Sequence, residues 1–189
     1  MLEQRKLPEP KLINGLDVTE FENIVEAVRE QPGLAKFLFR GTNVWDNGAR
    51  NRTTFRGFYG AGEEHGAENR AFVVDADDPP VFLGSDKAPT PVEYLLHALS
   101  ACLTSSIVYK AAAHGIVIES VESTIDGDLD ARKFLELSED GRTGYQNIRA
   151  TFKVKSNASP EVIKELAEFS PVLDVITRGT PVSIHVEQG

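Results

Sequence analysis

The stretch PVEYLLHALSACLTSSIVYKAAAHG, residues 91–115, decides how the chain is read, because it holds the only cysteine, Cys102, inside its most apolar run. Proline fits the first turn of a helix, where its fixed φ and missing N–H do no harm, and a glycine after a last-turn histidine fits the other end. The segment is therefore expected to be one helix from Pro91 to Gly115, roughly 35 Å long at 1.5 Å per residue. No formally charged residue occurs from Tyr94 to Tyr109, yet His97, Ser100, Thr104, Ser105 and Ser106 interrupt the run, which is short for a bilayer span. A buried helix, covered on most of its sides, is the expectation. A small sheet cannot cover it alone, so a second subunit is expected to help.

Upstream, DVTEFENIVEAVREQPG starts at Asp17 with Glu20 three residues later, the spacing of a capping box, and Phe21, Ile24, Val25 and Val28 share one face. This predicts an amphipathic helix over residues 17–31, after an extended arm. Residues 35–60, AKFLFRGTNVWDNGARNRTTFRGFYG, read as two strands about Asn47-Gly48, a dipeptide suited to the positive φ angles of a tight hairpin. GEEHGAEN is expected to be a loop, RAFVVDA a third strand, and GSDKAPTP the linker into the long helix.

Downstream, IVIESVESTIDGDLD is strand-like. GYQNIRATFKVK alternates Ile148, Ala150, Phe152 and Val154 with polar residues, as a half-buried antiparallel strand does. Ser159-Pro160 and Ser170-Pro171 each give a cap followed by a first-turn proline, so two short helices should meet at Ser170. TPVSIHVEQ alternates Val182, Ile184 and Val186 with polar residues and is expected to be a final strand, with His185 on its outer face. The order is not βαβ; the fold class is α+β, mostly antiparallel.

Composition bounds the function. The 189 residues suit one domain with a small addition, 41% hydrophobic and 26% charged. A net charge of -9 offers no field for a phosphate backbone or an anionic bilayer, so neither nucleic acid nor membrane is an expected partner. The N-terminus MLEQRKLPEPKL lacks the apolar run of a secretory signal, and a cytoplasmic location is expected. One cysteine builds no internal disulfide. Glu63, Glu64, His65 and Glu68 gather in one loop without the spaced ligand pairs of a metal site. There is no dinucleotide fingerprint, P-loop or nucleophile elbow, and no metal or other cofactor is called for.

Cys102 is then either core packing, as most buried thiols are, or a nucleophile. A nucleophile needs a cation or aligned donors to stabilise its thiolate, and mid-helix it gets no help from the helix dipole. On a straight helix Glu93 lies about 180° from Cys102 and His97 about 140°, so helpers must come from elsewhere. Arg50 and Arg52 of the hairpin are the candidates, against the alternative of a solvated turn.

The run P-x-E-Y-L-L-x-A-L-x-x-C-L-T, with AAxxGI after it, resembles the OsmC/Ohr family of osmotically inducible and organic-hydroperoxide-resistance proteins. The likeness spans roughly residues 35–187 and leaves residues 1–34, arm and amphipathic helix, as an addition to an OsmC-like domain of residues 35–189. It implies antiparallel sheets wrapped around long central helices in an intertwined homodimer. It also implies a thiol-dependent peroxidase for organic hydroperoxides or hydrogen peroxide. Cys102 takes the peroxidatic position; Arg52, or alternatively Arg50, that of the activating arginine. The family's supporting glutamate directly follows the helix-opening proline, where Val92 stands here; Glu93, one residue later, is the residue that the resemblance offers for that catalytic support of the arginine. The family's resolving cysteine, before a proline, is Ser170 here, so the cycle would need an external thiol reductant. Two other readings stand beside this one: a non-catalytic protein binding a small apolar ligand, and a cysteine nucleophile for electrophilic metabolites.

Overall fold

The computed structural model describes residues 11–66 and 71–189; most of the expected N-terminal arm, and Glu68 of the acidic loop, lie outside the described residues. The chain divides into two compact units. Among described residues the first comprises 11–12 and 17–95, the second 13–16 and 96–189.

A small hairpin opens the described chain, β1 (Leu12–Ile13) and β2 (Leu16–Asp17), turning on Asn14 and Gly15. The helix α1 (Val18–Glu30) follows, and the Asp17 carboxylate accepts from the amides of Thr19 and Glu20, so the expected cap forms. After a single turn at Pro32–Ala35 come β3 (Leu38–Asn47) and β4 (Arg50–Gly60), joined at Gly48, whose φ of 57° suits glycine. Next are β5 (Glu63–His65) and β6 (Phe72–Ala76), both antiparallel to β4. The expected loop thus contains a strand: Glu63, Glu64 and His65 pair with Gly60, Tyr59 and Phe58. The tight turn at Ala61-Gly62, both at positive φ, folds these residues back onto β4, and their polar character does not prevent edge pairing. Val18 is the only buried hydrophobic residue described in this unit.

The segment from Asp77 to Pro89 is organised by one carboxylate. Asp77, 1% exposed, accepts from the amides of Asp78, Ser85 and Lys87 and from the Ser85 hydroxyl at 2.6 Å. Its loop closes tightly: a Cβ at Gly84 would stand 1.7 Å from the Asp78 carbonyl oxygen. It leads into α2 (Pro91–Ala113), which starts at the expected proline, stops before Gly115 (φ 70°), and runs from the first unit into the second.

In the second unit, β7 (Ile118–Leu129) and β8 (Tyr145–Ser156) form a long antiparallel pair. The helices α3 (Pro160–Ala167) and α4 (Pro171–Arg178) begin at the two expected Ser-Pro caps. Ile107 and Ala111 of α2 pack with Ile163 and Leu166 of α3, and Phe152 and Val154 of β8 close over them. Asn14 fastens the first hairpin here, donating to the Ile116 carbonyl at 2.9 Å and accepting from the Ile118 amide at 2.8 Å.

One finding concerns a single chain only, and one expectation changes. The long helix is covered on one stripe only, Leu99, Leu103, Ile107, Ala111 and Ala112, while Leu95 and Tyr109 are exposed. Residues 179–189 form no strand: Val182, Ile184 and Val186 are 78%, 83% and 89% exposed. Alternation shows that a segment can line one sheet face, but a strand exists only where another pairs with it.

Candidate functional site

Cys102 lies in the middle of α2, neither sealed in the core nor fully exposed. It sits beside the buried stripe of Leu99 and Leu103, and the half-buried Ala98 and exposed Ala101 and Ser105 lie near it. Glu93 keeps the opposite side of the helix, two and a half turns earlier.

Glu93 has a local occupation. Its carboxylate accepts from the Thr90 amide at 2.8 Å and the Thr90 hydroxyl at 3.0 Å, and the Thr90 hydroxyl accepts from the Glu93 amide at 3.2 Å. This reciprocal capping box starts α2. Thr90, three residues before Glu93, was the signal in the sequence for it.

Arg52 stands on β4 directly opposite Asp75 of β6. Its Nε donates to Asp75 Oδ1 at 2.6 Å and its terminal nitrogen to Oδ2 at 2.9 Å, a two-pronged pair. Hydrogen bonding from Arg52 holds the Asp75 carboxyl below the ordinary carboxylate range, and the same bond raises the arginine. The Tyr94 hydroxyl of α2's first turn donates to the Asp75 carbonyl at 2.7 Å. Arg50 instead lies 3.4 Å from Asp46 across the hairpin turn. Asp75 was not singled out from sequence: only the pairing of β6 with β4 brings it to Arg52.

Ser170 is 1% exposed, and its hydroxyl accepts from the Leu173 amide at 3.2 Å as the cap of α4. His65 is engaged by its surroundings, stacked on Phe58 at 4.7 Å with Nε2 2.9 Å from the Gly60 carbonyl oxygen. Among the described residues no group of His, Cys, Asp and Glu could hold a metal ion. The second unit also holds an open apolar cavity of about 490 Å³, lined by Leu103, Ile107, Phe152, Ile163 and Leu173, with Lys164 and Glu168 also in its lining.

Such a unit can present a thiol on an apolar helix, and the first unit can present a fixed guanidinium. Comparisons with known proteins agree with this architecture. A Psychrobacter arcticus protein named for osmotic stress induction and detoxification is similar at TM-score 0.55 and 15% identity, covering 74% of this chain and 88% of its own. An OsmC-like protein of Mycoplasma pneumoniae gives 0.53 and 19%, covering 73% and 86%. At such identities the likeness concerns the fold. No curated protein matches the sequence. The model of the family described as OsmC-like protein matches residues 84–185, more than half of the chain, from the end of the Asp77 loop through Cys102 and Ser170, and the chain belongs to that family.

Proposed function

We propose that the protein is a single-cysteine, thiol-dependent peroxidase for organic hydroperoxides or hydrogen peroxide. The observation that carries the reading is the placement of Cys102 at a half-buried position of the family's motif helix, one residue before the buried Leu103. In the proposed reaction the Cys102 thiolate attacks the terminal peroxide oxygen. An S–O bond forms, giving the sulfenic acid, the O–O bond breaks, and the leaving alkoxide, or hydroxide from hydrogen peroxide, takes a proton to become an alcohol or water. Sulfur is oxidised by two electrons and the peroxide reduced by two. Arg52 is assigned to stabilise the thiolate and the developing negative charge, with Asp75 holding the guanidinium in position. Glu93 is assigned the support of the helix that carries the cysteine.

Serine at 170 cannot resolve a sulfenic acid. A small external thiol then condenses with it, releasing water and forming a mixed disulfide, and a second thiol frees Cys102 as a disulfide leaves. The work is assigned to the OsmC-like domain of residues 35–189, in the cytoplasm, where such thiols abound.

Members of the family are typically dimers, and an intertwined homodimer is proposed here. The exposed Phe39 and Phe72 on the first unit's strands, the uncovered side of α2, and the unpaired residues 180–187 support it. The proposed test treats wild type and Cys102→Ser with graded cumene hydroperoxide, with and without a small thiol, and reads intact mass and free thiol. One added oxygen or a thiol-reversible adduct on Cys102 within seconds is expected. A thiol that survives excess peroxide in folded protein overturns the reading. The apolar cavity of the second unit would then favour the second reading, a binding protein for a small apolar ligand.

A further inference from the structure

Two hollows adjoin on the sheet of the first unit, sharing Val44 and Arg52. One, of about 520 Å³, is lined by Arg40, Arg52, Arg56, Thr42, Thr54 and Glu64. The other, of about 400 Å³, brings in Trp45, Arg50 and Asp75. Gathering three guanidiniums around one hollow runs against the chain's net charge of -9 and against their mutual repulsion. The register accounts for part of the gathering: Thr42 pairs with Thr54 and Val44 with Arg52, so these side chains emerge on one face, while Arg40 and Arg56 stand at the irregular step of the β3–β4 ladder and line the same hollow. Arg40 pairs with Glu64 and Arg52 with Asp75, which fixes two of the guanidiniums in place. Both pairs are largely exposed, and exposed pairs contribute little, so exchanging or sharing these partners with a ligand is easy.

We propose that this face binds an organic oxyanion, a carboxylate or phosphate carried on an apolar body. The head group sits among Arg40, Arg52 and Arg56, whose planar forks match two oxygens at a time. The Thr42 and Thr54 hydroxyls supply further donors, and the apolar body runs along Val44 toward the hollow that Trp45 borders. A neutral hydroperoxide would use one cation; the second and third arginines set a preference for a ligand with its own negative charge. The site lies wholly within the first unit and does not depend on the peroxidase reading.

The test titrates Cys102→Ser protein by calorimetry with octanoate, octyl phosphate and octanol at low salt. Trp45, the chain's single tryptophan, gives a second readout through its fluorescence. At least one anion is expected to bind about tenfold or more tightly than octanol, and the tighter head group identifies carboxylate or phosphate. Arg40→Gln with Arg56→Gln should weaken the anion about tenfold or more, and added salt should weaken it too. Arg56→Gln alone keeps the Arg40–Glu64 pair intact and should give part of that loss, with Arg56→Lys restoring some of it. Binding of octanol as tight as either anion, unchanged anion affinity in the folded double variant, or no anion binding overturns the proposal. Because Cys102 is replaced throughout, none of these outcomes bears on peroxide reduction.

Discussion

Arg52 and Asp75 face each other across β4 and β6 and share two hydrogen bonds, of 2.6 and 2.9 Å, so the candidate activating arginine has its carboxylate on the neighbouring strand. Glu93, the carboxylate that the family resemblance offered for this role, is engaged in capping α2 with Thr90.

If Arg52 activates Cys102, Arg52→Lys should slow thiol loss to cumene hydroperoxide roughly tenfold or more, because a lysine keeps the charge and loses the planar fork. Asp75→Asn should slow it less, since the arginine survives and only its positioning suffers. The second-order rate of Cys102 oxidation checks both. The melting temperature should barely move, as the pair is exposed.

Ser170 offers a test of the incomplete cycle. If the proposed cycle holds, Ser170→Cys places a thiol before Pro171, and peroxide should then replace the proposed external-thiol step with an internal disulfide, seen as a mobility shift on non-reducing gels. Ser170→Ala should lower stability by about 1 kcal/mol through loss of the cap on the Leu173 amide, measured by urea unfolding. No stability loss in the alanine variant would sink that assignment.

Asp77 gives a pH signature. The Ser85 hydroxyl, followed by the amides of Lys87, Asp78 and Ser85, pulls its carboxyl down to about 2, against the opposing effect of burial. An ordinary aspartate titrates near about 4, so on acidification the unfolded chain takes up this proton first. The stability from Asp77 is fully present above about 4 and is lost as pH falls through about 2. Asp77→Asn should melt several degrees lower at neutral pH. Its melting temperature should also fall less steeply than wild type over that acidic window, as scanning calorimetry would record.

Asn14 joins residues about a hundred positions apart, bonding Ile116 and Ile118 at the start of β7. Asn14→Ala leaves a carbonyl and an amide at that site without this partner and should destabilise by about 1–3 kcal/mol. Hydrogen exchange would localise the effect, with the Ile118 amide losing protection before the middle of β7.

Sequence alone determined the features whose causes are local. The caps at Asp17, Ser159 and Ser170, the turn at Gly48, and the limits of α2 at Pro91 and Gly115 depend on residues within one turn of each other, so they could be read directly. The motif around Cys102 marked the family, and the family model agrees. Only the tertiary structure decided what depends on pairing across the chain. Asp75 became Arg52's partner through the register of β6 on β4; β5 arose from a polar segment because β4 offered an edge; and three arginines met on one face. Residues 180–187 make the same point in reverse, since their alternation is perfectly suited to a strand and none forms. Caps and turns are satisfied by neighbours in sequence, whereas a strand's amides and carbonyls need a partner that the one-dimensional pattern does not name.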